Sequence, residues 1–224
     1  MVFVEDGNQM IKILYEDNHL LVVLKPINMP VCSDSSKDLD LLSYLKQYLK
    51  EKYNKPGNVY LGLVHRLDRP VSGIMVFAKT SKAASRLSEQ VRTNKLQKKY
   101  KAILCGNIKG NGVLKDKLLK DNNKNMVFVD EKGKESVLEY NVVNNINNLS
   151  LVDINLITGR SHQIRVQFSS RGLPLYGDQK YNKRAVVGEQ IALFSYYLSF
   201  EHPVTKEVMS FIEELPCRKP WNLF

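Results

Sequence analysis

The stretch His65–Gly73 contains the residues whose types and spacing are best suited to chemistry. Its sequence, HRLDRPVSG, follows an apolar strand and places Asp68 between two arginines, in a turn formed by Pro70 and Gly73. Cationic neighbours favour the charged form of a carboxyl group, so Asp68 is available as a nucleophile. An aspartate that only accepts hydrogen bonds from the turn backbone is an alternative that this stretch alone leaves open.

A second polar cluster, Thr158–Arg165, lies where a strand ends, a glycine turns the chain and a helix begins. Such a turn presents backbone N–H groups and cationic side chains to an anion. We expect the helix to start at Ser161, so that Ser161 and Arg165 share one face, with Arg160 just before them. A surface helix with two exposed arginines remains the alternative, and we interpret His162 as a hydrogen-bonded structural histidine.

The elements that must position these clusters are mostly strands. Apolar residues at helical spacing predict an amphipathic helix over 38–53, and further helices are expected from a cap at Ser81 and over 161–172. Runs of strands with a few helices indicate an α+β fold, a single domain on a largely antiparallel, twisted mixed β-sheet with flanking helices and loops. The predicted strands cover residues 20–24, 59–64, 73–78, 99–104, 125–130, 135–143, 149–157, 191–200 and 207–212.

Positive charge is concentrated in one part of the chain. The 224 residues include 33 Lys and Arg against 23 Asp and Glu, a formal net charge of +10. Residues 79–101, called the basic segment below, hold eight basic residues against one acid, Glu89, a net charge of +7. This excess of one sign favours a surface that contacts phosphates, although a solvated helix face is the simpler alternative. We expect such contacts from Lys79, Lys82, Arg86, Arg92, Lys98 and Lys99.

The sequence does not indicate a metal site, a cofactor site, a membrane-spanning helix or a signal peptide. The four histidines are scattered without ligand spacing, and the glycines form no Walker or dinucleotide loop, so we expect neither a metal nor a cofactor. Three cysteines far apart fit a reducing compartment. The longest apolar runs have five residues, whereas a membrane-spanning helix needs about 20, and Glu5 and Asp6 interrupt any signal peptide. We therefore expect a cytoplasmic protein.

Four segments follow one another in an order that is typical of one enzyme family. HRLDRPVSGIMVFAKT resembles a motif written HRLDxxTSGxxxxAK, and YEDNHLLVVLKPINMPV resembles the motif that precedes it. KKYKAILCG resembles a lysine–tyrosine strand, and ITGRSHQIRVQFSSRGLPLYGDQKY resembles a third motif. With an HPVT turn at residues 202–205, they span about 13–212. The sequence thus resembles the RluA family of RNA pseudouridine synthases, and four ordered matches are specific where one would be weak.

The resemblance implies the pseudouridine synthase fold and the isomerisation of uridine in RNA to pseudouridine. In this reaction the C1′–N1 bond is broken, the uracil turns, and C5 is joined to C1′. The resemblance implies that Asp68 is the nucleophile, that Tyr100 packs against the target base and assists proton removal, and that Arg165 pairs with the aspartate. It also implies that Arg66 enters the space vacated by the flipped nucleotide. A base must leave its helix before its glycosidic bond can be reached, and a carboxylate stabilises positive charge at C1′.

Further residues around these positions are expected to contribute. We expect Leu67 and Ile164 to exclude water from the site, and His65 and Arg160 to bind RNA. Four departures from the family pattern bear on turn geometry and target preference rather than on activity. They are Leu24 for Asn, Asn28 for Gly, Val71 for Thr and Gln167 for His.

The domain organisation follows from the position of the motifs. About a dozen residues precede the first motif, so we expect an N-terminal extension over 1–12, no S4 RNA-binding domain, and a catalytic domain over 13–224. The expected partner is structured RNA, ribosomal or transfer, with no membrane, no DNA and a monomeric state. Two other hypotheses remain: a non-catalytic RNA-binding or ribosome-assembly protein of the same fold, and a metal-dependent nuclease.

Overall fold

The computed structural model describes residues 11–34 and 36–224, together with the backbone of residues 2–4. Its α-helices are α1 (Leu41–Lys52), α2 (Ser81–Arg92) and α3 (Gln163–Ser169). Its strands, in chain order, are β1 (Val2–Val4), β2 (Ile11–Glu16), β3 (Leu20–Lys25), β4 (Gly62–Leu63), β5 (Ser72–Ala78), β6 (Gln97–Cys105), β7 (Asn111–Asp121), β8 (Met126–Val129), β9 (Lys134–Ile146), β10 (Leu149–Leu156), β11 (Leu193–Glu201) and β12 (Val208–Ile212).

The chain forms two compact units. The first comprises the chain up to Leu96 together with Tyr197–Glu213, and the second comprises Gln97–Tyr196 together with Glu214–Phe224. The expected catalytic domain over 13–224 remains a prediction, since one catalytic domain can comprise two compact units. Glu5, Asp6 and most of the expected extension over 1–12 lie outside the described residues.

The first unit is built on antiparallel strands that run in the order β1, β2, β3, β5, with β4 beside the end of β5. The last part of β11 pairs with β12. Strand β5 is buried along its whole length, which suits its continuous apolar sequence. Helix α2 packs by its apolar stripe against a core of Leu20, Val22, Ile74, Val76, Ala78, Ala83, Leu87, Leu96, Leu198 and Phe200.

The second unit is a meander of antiparallel strands in the order β6, β10, β9, β7, β8. Residues opposite each other in such a ladder lie on the same face of the sheet, so Tyr100 of β6, Ile154 of β10 and Tyr140 of β9 share a face. Helix α3 packs on that face, where the rings of Phe168 and Tyr140 meet edge to face with centroids 5.6 Å apart. The α+β class and the largely antiparallel pairing are therefore confirmed.

Three local predictions were wrong. The strand predicted over 59–64 has only two paired residues, Gly62 and Leu63, because β5 offers partners only at Ala78 and Phe77. Thr80, not Ser81, caps α2, since its extended backbone lets its hydroxyl accept from the Ala83 N–H at 3.2 Å. Strand β7 was not predicted, because its buried leucines are spaced four apart without strict alternation, and pairing with β8 and β9 makes it a strand.

Within the described residues, no helix combines the length and the apolar character needed to cross a membrane. Helix α1 lies within the predicted range, and Asp40 caps it by accepting from the Ser43 N–H at 3.0 Å. It buries Leu41, Tyr44, Leu45 and Leu49.

Glu16, at the end of β2, ties α1 to the sheet of the first unit. Its carboxylate accepts from Tyr48 at 3.0 Å, Lys52 at 2.8 Å, Tyr53 at 2.6 Å and Lys79 at 2.8 Å. Burial raises the pKa of Glu16, but the hydrogen bonds, from Lys52 and Lys79 above all, outweigh burial and lower the pKa to about 2. The charged carboxylate therefore stabilises the folded state.

We expect Glu16→Gln to lower the free energy of unfolding at pH 7 by about 1–3 kcal/mol, because an amide cannot replace a carboxylate bonded to two ammonium groups. A carboxyl with a lowered pKa stabilises the fold above its ordinary pKa of 4.5, and this stabilisation disappears as the pH falls towards about 2. Urea unfolding should therefore show the difference between wild type and variant shrinking over this range. Glu51→Gln, at an exposed position in α1, is the matched control. A difference for Glu16→Gln that stayed constant down to pH 2 would contradict the assignment.

Candidate active site

Asp68 lies half-buried in the loop over residues 64–71, which connects β4 to β5 in the first unit. The Val71 N–H donates to the Asp68 carbonyl oxygen at 3.0 Å and closes the turn around Pro70. Leu67 is buried, and Arg66 is exposed. The side chain of Asp68 is thus presented from a short closed turn at the start of a fully buried strand.

Lys25, the last residue of β3, stabilises this turn by hydrogen bonds to its backbone. Its side chain is fully buried, and its ammonium donates to the carbonyl oxygens of Arg69 at 2.9 Å, Val71 at 2.8 Å and Pro26 at 2.9 Å. Three donors of one ammonium therefore bind three carbonyls, two of which flank Pro70 directly after Asp68. The backbone on which Asp68 stands is fixed by a residue 44 positions from Arg69 in sequence.

Effects of opposite sign act on the pKa of Lys25. Burial lowers the pKa of its ammonium, the negative charge of Asp68 raises it, and the charge of Arg69 lowers it further, with a net pKa of about 7. Lys25 and Asp68 therefore interact electrostatically.

The two residues at either end of the loop are fixed by different partners. The His65 ring accepts the Val76 N–H on Nε2 at 3.1 Å, and so continues the ladder of β5 where β4 no longer reaches. Arg69 donates to the Ser36 hydroxyl at 2.9 Å and forms an ion pair with Asp38. Of the two arginines beside Asp68, one is thus engaged with the loop before α1, and the other, Arg66, is exposed to solvent.

Arg165 lies in the second unit, buried in α3. Its guanidinium donates from Nε to Asp178 Oδ2 at 2.8 Å and from an Nη to Oδ1 at 2.7 Å, a bidentate pair. It also lies 5.1 Å from the ring centroid of Tyr181, whose hydroxyl bonds His162 Nδ1 at 2.7 Å and accepts the Val127 N–H at 2.9 Å. Arg165 is therefore held in one orientation, and His162 is hydrogen-bonded as expected.

The start of α3 differs from the prediction. The helix begins at Gln163, after His162 with a positive φ of 52°, so Ser161 neither caps it nor shares a helical face with Arg165. The Gln163 side chain forms the turn instead: its Oε1 accepts from the Thr158 hydroxyl at 2.8 Å and the Arg160 N–H at 3.0 Å. Arg160 is exposed and donates to the Glu135 carbonyl at 3.1 Å, while Ile164 is buried.

Tyr100 also belongs to the second unit and is buried on β6. On the opposite face of that strand, Lys101 forms an ion pair with Asp153 at 2.8 Å, and the Tyr196 hydroxyl donates to the same carboxylate. Lys98 lies on the Tyr100 side and is buried, with 8% of its surface exposed.

The basic segment is divided between the two units and is only partly open to solvent. In the first unit Lys79 pairs with Glu16 at 2.8 Å, Arg92 pairs with Glu89 at 2.6 Å, and Arg86 donates to the Pro203 carbonyl at 2.6 Å. Lys82 and Lys95 are exposed, and Lys99, in the second unit, is half-buried. Fewer basic side chains of this segment are available to an external anion than its formal net charge of +7 suggests.

Sequence reasoning missed two residues that support the proposed site, Lys25 and Asp178. Both lie inside the quoted motifs, in LLVVLKP and in YGDQKY. A charged residue at the end of a wholly apolar strand is the signal that could have identified Lys25, since buried charges require partners. Among the residues described, no group of three or more His, Cys, Asp or Glu is arranged to hold a metal ion.

Comparison with known proteins agrees with the sequence motifs. Residues 19–170 match the family described as RNA pseudouridylate synthase. A ribosomal large subunit pseudouridine synthase C of Buchnera aphidicola is 36% identical over 87% of this chain and 64% of its own length. A ribosomal large subunit pseudouridine synthase D of Zymomonas mobilis is 33% identical over 92% of this chain and 69% of its own. The chain belongs to the RNA pseudouridylate synthase family.

Solved structures share the fold. The structure of human RNA pseudouridylate synthase domain containing 4 has a TM-score of 0.76 at 25% identity, over 92% of this chain and 89% of that one. The structure of human RNA pseudouridylate synthase domain containing 1 has a TM-score of 0.77 at 23% identity, over 97% of this chain and 89% of that one. The pseudouridine synthase fold is therefore confirmed. The chain spans about two thirds of the length of the Buchnera and Zymomonas relatives.

We expect Lys25→Met to lower the free energy of unfolding by about 2–4 kcal/mol at pH 7, because three carbonyl groups lose their donor. A lysine with a lowered pKa adds stability as the pH rises above about 7, since the unfolded chain then holds the proton more tightly. Denaturant unfolding at pH 7 and pH 9 should show this increase for the wild type and not for the variant. Lys50→Met, at an exposed position in α1, should change stability by less than about 0.5 kcal/mol. Equal stability of Lys25→Met and wild type would show that the three hydrogen bonds do not hold the turn.

Proposed function

We propose that the protein converts uridine in large-subunit ribosomal RNA to pseudouridine. The observation that carries this proposal is the position of Asp68. It corresponds to the aspartate of the motif HRLDxxTSGxxxxAK that this sequence resembles, and it lies on a turn whose carbonyl groups accept hydrogen bonds from the buried Lys25. The names of the Buchnera and Zymomonas relatives support ribosomal RNA as the substrate class.

Asp68 is the nucleophile of the proposed reaction. As the C1′–N1 bond breaks, its electron pair stays with the uracil, and the Asp68 carboxylate stabilises or captures the positive charge at C1′. C5 of the turned uracil then attacks C1′ and releases the carboxylate, C5 loses its proton, and N1 gains one. Atoms and charges balance without a metal, a cofactor or an energy source. The Lys25 side chain beneath the turn interacts electrostatically with Asp68.

The other residues of the proposed site handle the base. Tyr100 packs against the flipped uracil and assists removal of the C5 proton, and Arg66 fills the space that the nucleotide leaves. Arg165 is the basic residue that partners the nucleophile, and its bidentate bond to Asp178 orients it. Leu67 and Ile164, both buried, exclude water.

The remaining proposed contacts are with the RNA backbone. We propose that the protein acts in the cytoplasm and as a monomer. Phosphates bind best to exposed cations without an internal counter-charge, which favours Lys82 over the ion-paired Lys79 and Arg92. The half-buried Lys99 is also a proposed phosphate contact. The proposed RNA contacts also include Arg160, His65 and Arg86, together with Lys98 at the target nucleotide.

We expect Asp68→Asn to abolish pseudouridine formation while RNA binding is kept, because the amide retains the shape but not the charge of the nucleophile. The measurement is pseudouridine mapping of total RNA from cells without the gene, complemented by wild type or variant, with binding measured on purified protein. Asp121→Asn, at the last residue of β7, is the matched control and should be fully active. An active Asp68→Asn would overturn the nucleophile, a function retained without modification would favour a non-catalytic RNA-binding protein, and modification confined to transfer RNA would overturn the ribosomal substrate.

We expect the triple replacement of Lys82, Lys95 and Lys99 by glutamine to weaken RNA binding and to reduce the slope of log K against log salt by about 2–3. Each lysine that contacts a phosphate releases counterions, and its loss removes that share of the salt dependence. The control replaces three exposed lysines outside the basic segment, Lys120, Lys124 and Lys132, with the same change in net charge. A slope unchanged in the first variant and reduced in the second would place the RNA surface on the β7–β8 hairpin instead.

A further inference from the structure

Lys98 is a buried cation without an internal partner. Only 8% of its surface is exposed, and its ammonium forms no hydrogen bond or ion pair with any residue in the described part of the chain. Burial alone lowers its pKa. Two partly buried lysines of the basic segment, Lys79 and Lys101, each bind a carboxylate at 2.8 Å.

The position of Lys98 in β6 places it beside Tyr100. Side chains of a strand alternate between its faces, and the burial pattern shows Lys98, Tyr100 and Ala102 on the buried face and Lys99 and Lys101 on the other. Lys98 and Tyr100 are therefore neighbours on one face of the sheet, about 7 Å apart along the strand.

The Lys98 ammonium reaches the turn that leads into α3. A Cβ atom added to Gly159 would lie 3.0 Å from Lys98 Nζ, so the ammonium lies directly against the backbone of that turn. Gly159 is itself exposed, which places the end of the lysine near solvent while its stem is buried. A ligand that reaches Tyr100 from this edge of the sheet meets the Lys98 ammonium.

The buried stem of Lys98 leaves its ammonium partly desolvated, and no contact of the described residues compensates for the hydration that is lost. Buried charges in folded proteins are ordinarily paired or hydrogen-bonded, as Lys25 is by its three carbonyl oxygens. Perturbed cations of this kind are concentrated at functional sites, where a substrate supplies the missing partner. Since Tyr100 is assigned to the target base, the partner nearest to Lys98 would be the base and not the RNA backbone.

We propose that Lys98 donates a hydrogen bond to a carbonyl oxygen of the target uracil and stabilises the negative charge that the base acquires as its glycosidic bond breaks. This inference rests on the function proposed above and makes Lys98 a catalytic residue, distinct from the phosphate-contacting lysines. The electron pair of the C1′–N1 bond stays with the uracil and spreads onto O2 and O4. Lys98 meets one of these oxygens without transferring a proton, and the charge disappears when C5 bonds to C1′ and the base regains its neutral form.

A cation aimed at charge that develops only in the transition state accelerates the reaction without tightening ground-state binding. An ammonium in a buried environment interacts with that charge more strongly than an exposed one would. A phosphate contact would have the opposite signature, since phosphate charge is the same before and during the reaction.

The test compares Lys98→Met, which keeps the length of the side chain and removes its charge, with Lys98→Arg, which keeps the charge. An in vitro transcript of large-subunit ribosomal RNA is the probe, with protein in excess, so that the single-turnover rate at saturation and the RNA dissociation constant are measured separately. We expect Lys98→Met to reduce the saturated rate at least 100-fold and to change the dissociation constant by less than threefold. The saturated rate of Lys98→Arg should be at least tenfold higher than that of Lys98→Met. Lys109→Met, at an exposed position just after β6, is the matched control and should behave as wild type.

Thermal unfolding separates this role from a structural one. Because Lys98→Met removes an unpaired buried charge, its Tm should equal or exceed that of wild type. A lower Tm, an unchanged saturated rate, or weaker RNA binding at an unchanged rate would each overturn the proposal. Wild-type protein that forms no pseudouridine in any RNA would instead refute the proposed function, whereas active wild type with equally active Lys98→Met refutes only the role of Lys98.

Discussion

The ammonium of Lys25 is the interaction on which the proposed nucleophile depends. It lies where β3 ends, fully buried, and it binds carbonyls on both sides of Pro70, so the turn that carries Asp68 is fixed to the centre of the first unit. An unpaired ammonium in this place would be strongly destabilising, and the three carbonyls would lack donors without it. The mutual dependence of Lys25 and the turn fixes the backbone from which the Asp68 carboxylate projects.

The second unit contains two buried cations whose environments differ. Arg165 has an internal carboxylate, Asp178, which matches its planar guanidinium with two parallel hydrogen bonds, and the Tyr181 ring lies against it. Lys98 has no such carboxylate, and burial lowers the pKa of its ammonium without a compensating partner among the described residues. The proposed site thus combines one rigid cation with one whose proposed partner is supplied by the substrate, so that binding energy is used where the charge develops.

Net charge overstates what the chain offers to RNA. Several lysines and arginines that make the sequence basic are used inside the fold, as Lys79 is in the carboxylate cluster of Glu16 and Lys101 is beside Asp153. The exposed ammonium groups of Lys82 and Lys95 remain available to phosphates. Electrostatic attraction of RNA depends on these free charges, since a cation already neutralised by a nearby carboxylate releases few counterions on binding.

The sequence by itself determined the features that depend on neighbours along the chain. Alternating and apolar runs defined most strands, apolar residues at helical spacing defined α1, and HRLDRPVSG placed Asp68 in a turn before β5. Only the tertiary structure decided which strands find partners, so that 59–64 is paired at just two residues and β7 is a strand despite its leucine spacing. It alone also decided which charges are buried and with what: Lys25 with Arg69 and Val71, Arg165 with Asp178, and Lys98 with none of the residues described. The physical reason is that burial and hydrogen bonding of a charged group are set by groups brought close in space, such as Lys79 and Glu16 from 63 positions apart, whereas turns, caps and periodicity are set within a few residues.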